Sequence, residues 1–304
     1  MRVTPPPTSS GRGDEQMPDI GGQSVRRRRL AAELRRLRER TGLTGDQVAE
    51  RLGWSGSKIS RIELNRIGVK LADLRKLLDV YGVSAAHRDE LEALASETLR
   101  SGVLEATSSA LTAEISSYID EETEAKSVWN WEPQIVPGLL QTRRYARAII
   151  EGWASIMPTT REEIERRVEA RLARRRLLTR DPPLDLSVVV DESVLRRKVG
   201  DRSVMREQLD YLIEGSQLPN VRLQVLALGG EHPIGTGSFS YMQFTQRHEI
   251  PLNDIVNVEQ LTRNYDVQQE SDTLQYQLAF RRLSALALTP EESRYVIAEA
   301  AQET

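Results

Sequence analysis

At 304 residues the chain is long enough for two domains, each with its own core. It holds no cysteine, which excludes disulfides, thiolate nucleophiles and cysteine-based metal sites. Its three histidines, His87, His232 and His248, lack metal-ligand spacing, so neither a metal nor a cofactor is expected. The net charge of −3 is unevenly spread: residues 26–70 hold thirteen Lys/Arg against five Asp/Glu, a balance of +8 that leaves −11 elsewhere, the footprint of a nucleic-acid module joined to an acidic companion.

No apolar run approaches the roughly 20 residues of a membrane span, and the first residues have no apolar secretory core. A cytoplasmic protein without membrane contact is therefore expected. Residues 1–25, rich in Pro, Gly and Ser, read as a disordered arm. The Arg26–Arg29 run that leads out of it reads as a solvated face or as a phosphate contact.

Five helical patterns then fill residues 26–105. "LAAELRRLRER" puts Leu30, Leu34 and Leu37 on one face, and Gly42 ends it as a C-cap. Thr44 can cap a second helix with Val48, Ala49 and Leu52 inside, and Ser55 a third carrying Ile59 and Ile62. "LADLRKLLDVYG" and "HRDELEALASETL" complete a small all-helical bundle ending near residue 100.

Residues 106–304 change grammar to an α+β domain around a mixed sheet, in the order β-α-α-β-α-β-β-β-α-α. "SVWNWEPQIV" is a strand with Trp129 and Trp131 on one face, serving either as core or as a ligand-facing wall. "GLLQTRRYARAII" and "REEIERRVEARLARRRLL" follow as helices; the charges of the second alternate at helical spacing and suit a solvated face or an acidic partner. After the strand "LSVVV", Asp191 reads as an N-cap or, with Glu192, as a pair of carboxylates at a strand end. His232, in "GGEHPIGTG", falls in what reads as a long β-hairpin loop that can line a pocket. The last helix opens at Thr289-Pro290-Glu291-Glu292, with an N-cap, a proline at N1 and an acidic first turn.

"GLTGDQVAERLGWSGSKISRIELNR" carries the sharpest functional signal. A DNA-reading helix-turn-helix needs a small residue where its helices cross, a glycine able to take positive φ, and apolar inner faces. Ala49, Gly53 and the set Val48, Leu52, Ile59 and Ile62 supply them in order. The outer face at the start of the third helix holds Ser55, Ser57, Lys58, Ser60 and Arg61, small hydroxyls and cations suited to base edges and phosphate.

The stretch "LRRLRERTGLTGDQVAERLGWSGSKISRIE" resembles the helix-turn-helix of the Xre/phage-repressor family. The second half, through "VPGLLQTRRYARAII", "VVDESVLRRKVG" and "VRLQVLALGGEHPIGTGSFSYMQF", resembles the domain of unknown function of actinobacterial WhiJ-like, antitoxin-like regulators. The first resemblance implies phosphate contacts from Thr44 and Arg51, a backbone-facing N-cap at Ser55, and a groove-facing set of Gly56, Ser57, Lys58 and Arg61. It also implies a partly buried ion pair between Arg38 and Glu63. The chain departs from the pattern at Gly45, where a phosphate-touching glutamine is common, and at Leu64-Asn65, which makes Asn65 the left-handed cap.

A sequence-specific transcriptional regulator is expected, binding double-stranded DNA at a pseudo-palindromic operator as a homodimer. Its second domain would take a small companion protein, which the resemblance implies, or a ligand, with Trp129, Trp131, Glu192 and His232 as the site residues. A pure dimerisation module and an enzyme are the alternatives for that domain, and no enzyme is expected because no catalytic constellation stands out.

Overall fold

A computed structural model of the chain describes residues 25–107, 113–232, 234–245, 253–261 and 264–304. The expected arm, save Val25, and His248 lie outside the described residues.

The first unit is helical: α1 (Val25–Arg40), α2 (Gly45–Leu52), α3 (Gly56–Glu63), α4 (Leu71–Tyr81) and α5 (Ala85–Thr107). Leu30, Leu34 and Leu37 of α1 meet Val48 and Ala49 of α2, Ile59 and Ile62 of α3, and Leu74, Leu77 and Leu78 of α4 in one core. Thr44 closes a capping box with Gln47, satisfying donors at both ends of the first turn of α2. Gly53 takes φ 65°, where a side chain would be strained, and donates its N–H back to α2, so the chain turns sharply into α3. Asn65, at φ 56°, is the one left-handed non-glycine residue described, immediately after α3.

Helix α6 (Ala113–Glu124) joins the bundle to a six-stranded sheet of β1 (Ala125–Glu132), β2 (Asp185–Asp191), β3 (Val221–Leu226), β4 (Phe239–Phe244), β5 (Ile255–Glu259) and β6 (Asn264–Val267). The strand order is β3-β2-β1-β4-β5-β6. The first three strands are parallel and the others antiparallel, giving the expected mixed sheet. The parallel crossovers run through α7 (Arg143–Ala154) and α8 (Arg161–Ala173), then through the short α9 (Ser193–Arg196) and α10 (Arg202–Gly215). Helices α11 (Glu270–Leu286) and α12 (Pro290–Glu303) close the chain.

Both faces of the sheet are covered, and the period of two divides the strands between them. Val128, Leu186, Val188, Val190, Leu223, Val225 and Met242 pack under Leu209 and Leu212 of α10 and Ile297 of α12. Trp131, Val189, Phe239, Tyr241 and Val256 pack against Phe280 and Leu283 of α11.

Three expectations change. Helix α6 and strand β6 were not anticipated. The segment 227–238 is not a hairpin loop, because β3 pairs only with β2 while β4 pairs with β1 and β5, so the segment crosses the sheet instead. The Arg26–Arg29 run is neither a solvated face nor a free phosphate arm, because it is the first turn of α1 and docks on the second domain. Arg26 Nη2 lies 3.0 Å from Glu124 and Arg28 Nη2 lies 2.8 Å from Glu121, whose side chain is fully buried. Arg29 Nη2 reaches the carbonyl of Thr245. Among the described residues no helix is long and apolar enough to cross a membrane, and no cluster of three His, Asp or Glu could hold a metal.

Candidate DNA-binding face and interior cavity

Helix α3 is amphipathic in the sense its inner core demands. Ile59 and Ile62 are buried, while Ser57, Ser60 and Arg61 are exposed, with Ser57 one turn from both Ser60 and Arg61. Thr44, Arg51 and Ser55 are exposed around it. Ser55 sits at the N-cap position but makes no capping bond; its Oγ pairs instead with the Ser57 hydroxyl at 3.1 Å. Gly56 is held close under α2, since a Cβ there would meet the Asp46 carboxylate at 2.1 Å.

Lys58 differs from the rest of the expected groove-facing set. Its ammonium lies 2.8 Å from Asp73 in the first turn of α4 and 3.6 Å from the centre of the Trp54 ring. A cation held by a carboxylate and an aromatic face is turned toward the bundle, leaving Ser57, Ser60 and Arg61 as the side chains that α3 presents outward.

Arg38 and Glu63 lock α1 to α3. Arg38 Nε and Nη2 donate to the two Glu63 oxygens at 2.7 and 2.9 Å, and Nη1 donates to the Leu43 carbonyl at 2.9 Å. Hydrogen bonding to Glu63 holds the Arg38 guanidinium above its usual pKa, against the opposing effect of burial.

In the second domain, each of the four expected site residues is engaged by contacts of the chain itself. Trp131 is buried and Trp129 stacks on Tyr241 and Phe280 at 5.2 and 5.4 Å, so both belong to the core under α11. Glu192 accepts from the Leu228 N–H and pairs with Arg196. His232 lies 3.3 Å from Asp191, whose other oxygen accepts the Ser193 N–H, although the N-cap position of α9 falls on Glu192 and not on Asp191 as expected.

A cavity of about 560 Å³ opens elsewhere, beyond the carboxyl end of β1, between the sheet and helices α6, α7 and α8. That volume lies in the range of small-molecule sites, and the space beyond the carboxyl ends of parallel strands is where open sheets bind ligands. Ile115, Ile119, Ile149, Trp153 and Met157 form apolar walls, and Glu132, Arg171, Arg174, Ser240 and Asn257 a polar floor. Glu122 neutralises Arg174 through two bonds of 2.6 Å. Burial pushes the Glu132 carboxyl up to about 7. The signal for this floor is present in β1, where Val128 is followed at the inward period by Asn130 and Glu132, polar residues in a buried strand.

Residues 115–299 match a domain of unknown function, DUF5753, over more than half the chain. The chain belongs to the DUF5753 family. In this DUF5753 protein, residues 29–91 also match a helix-turn-helix domain, which supports a DNA-binding regulator. The first match spans the sheet, the cavity walls and most of α12; the second spans α1 to α4 and the start of α5. No curated protein and no solved structure matches the chain.

Proposed function

We propose that this protein is a sequence-specific transcriptional regulator of the Xre/phage-repressor type, in a WhiJ-like, antitoxin-like architecture, acting in the cytoplasm. It reads a pseudo-palindromic operator as a homodimer, and its C-terminal domain (residues 106–304) binds a small ligand or companion protein that alters DNA affinity. Ser57, Ser60 and Arg61 read bases, while Thr44, Arg51, Ser55 and Gly56 contact or closely approach phosphate. Lys58 joins them only on leaving Asp73. No catalytic step is assigned.

The observation that carries the reading is the double role of α1. The same helix supplies Leu30, Leu34 and Leu37 to the core that positions α3, and Arg26 and Arg28 to the carboxylates of α6. A shift of α6 thus has a direct mechanical route to the DNA face.

The test is titration of the full chain against a selected operator at several salt concentrations. The proposal expects a linear fall of log affinity with log salt, and half-sites about one helical turn apart. Equal affinity for operator and scrambled duplex would overturn it.

A further inference from the structure

The cavity holds a cation without a close counter-ion: Glu259 of β5 also lines it but acts on Arg171 only from a distance. Arg171 projects from α8 into its floor, where its one described hydrogen bond is to the neutral Gln141 Oε1 at 3.0 Å. Its neighbour Arg174 is paired to Glu122, but among the described residues no carboxylate lies within 4 Å of Arg171. The surface that Arg171 retains opens on the cavity, and burial pulls its pKa below the usual arginine value. A guanidinium cannot shed its charge at physiological pH, so desolvation leaves it seeking an anion. Glu132 lines the same space and is 8% exposed, with Oε1 accepting from Asn130 and Oε2 buried just beneath the surface without a hydrogen-bond partner. In its protonated form that carboxyl is a donor. A fixed cation without a close counter-ion and a buried acid beside it together suit the two oxygens of one carboxylate, and the isoleucines, Trp153 and Met157 suit an apolar body.

We propose that this cavity is a receptor site for a small apolar carboxylic acid, whose carboxylate is bound by Arg171 and Glu132 and whose hydrocarbon body lies against α6 and α7. The site rests on the reading of the C-terminal domain as a ligand-responsive one. It also supplies the route: α6 walls the cavity with Ile115 and Ile119, and two residues further along holds α1 through Glu121 and Glu124. Filling the cavity therefore acts on the helix to which the DNA-binding bundle is tied.

Calorimetric titration of the full chain with decanoate and with 1-naphthylacetate, against decanol and decylamine as neutral and cationic controls, tests the assignment. Binding of at least one acid with one site per chain is expected, at least tenfold tighter than either control. Arg171→Gln should weaken it at least tenfold at unchanged melting temperature. Ala170→Phe, which fills the cavity from α8, should abolish it. Binding of neither acid, equal binding of decanol, a preference for decylamine, or full binding by the Arg171→Gln chain would each overturn the site. The same acids added to operator titrations separate the two claims. Arg171-dependent binding that leaves DNA affinity unchanged would keep the site and overturn the ligand-responsive reading of the domain.

Discussion

Replacing Glu63 by alanine tests whether the bundle that presents α3 is held by a charge pair or by its apolar core alone. The Arg38 side chain is 16% exposed and that of Glu63 8%, and two short bonds join them across α1 and α3. Removing one partner of a buried pair costs about 3–5 kcal/mol, because the remaining charge stays desolvated. Arg38 keeps its bond to the Leu43 carbonyl and some contact with water, so the lower end, about 3 kcal/mol, applies. In urea denaturation the transition reporting the helical bundle should shift to lower denaturant with unchanged slope. The double variant Arg38→Met with Glu63→Leu should recover most of that loss, since apolar groups of similar size replace such pairs at little cost. A midpoint for Glu63→Ala within about 0.5 kcal/mol of the parent would refute the reasoning, for that is the range of an ordinary surface substitution.

Glu132 makes stability depend on pH. Its carboxyl titrates near 7 in the fold against 4.5 when free, so the folded state holds the proton longer than the unfolded one. Stability attributable to it is greatest below pH 4.5, falls as pH rises to 7 by on the order of 3 kcal/mol, and is flat above; Glu132→Gln should remove that fall, and an identical pH profile for the variant would contradict it. Arg61→Ala should relax base choice by about 1–3 kcal/mol at one position, whereas Arg51→Ala should weaken all duplexes alike and reduce the salt slope by about one, both read from competition titrations. Asp73→Asn, by releasing Lys58, should strengthen binding to all duplexes and steepen the salt slope; no change would mean that Lys58 stays on Trp54. Arg28→Ala should leave Glu121 buried without its partner and loosen α1 from α6, seen as faster amide exchange in both helices, and unchanged exchange would remove the route between the domains.

The helical bundle was legible because its signals are local. A capping threonine at Thr44, a left-handed glycine at Gly53 and isoleucines at 59 and 62 each specify their own few residues, and the structure satisfies each with near neighbours. Helix α6 was not legible because its buried residues look like surface ones. Glu121 and Glu122 are buried by pairing with Arg28 and Arg174, 93 and 52 positions away, and no periodicity marks such partners in advance. The crossing segment 227–238 misled for a related reason, since strand alternation specifies faces but not which strand lies beside which. Lys58 was read outward from its place on α3, and Asp73, fifteen residues on, turned it inward. The cavity needed the fold itself, because its walls and floor come from three helices and from strands far apart in the chain. Its one sequence trace was the polar pair Asn130 and Glu132 on an inward-facing period.

The most direct test of the account is selection of bound duplexes from a random-sequence pool by the full-length chain, followed by footprinting of the enriched site. The account predicts a discrete inverted repeat with half-sites about one helical turn apart, lost when Ser57 and Arg61 are both replaced by alanine. A pool that shows no enriched sequence after repeated rounds, or an enriched site indifferent to those two substitutions, would contradict the claim that α3 is the reading helix.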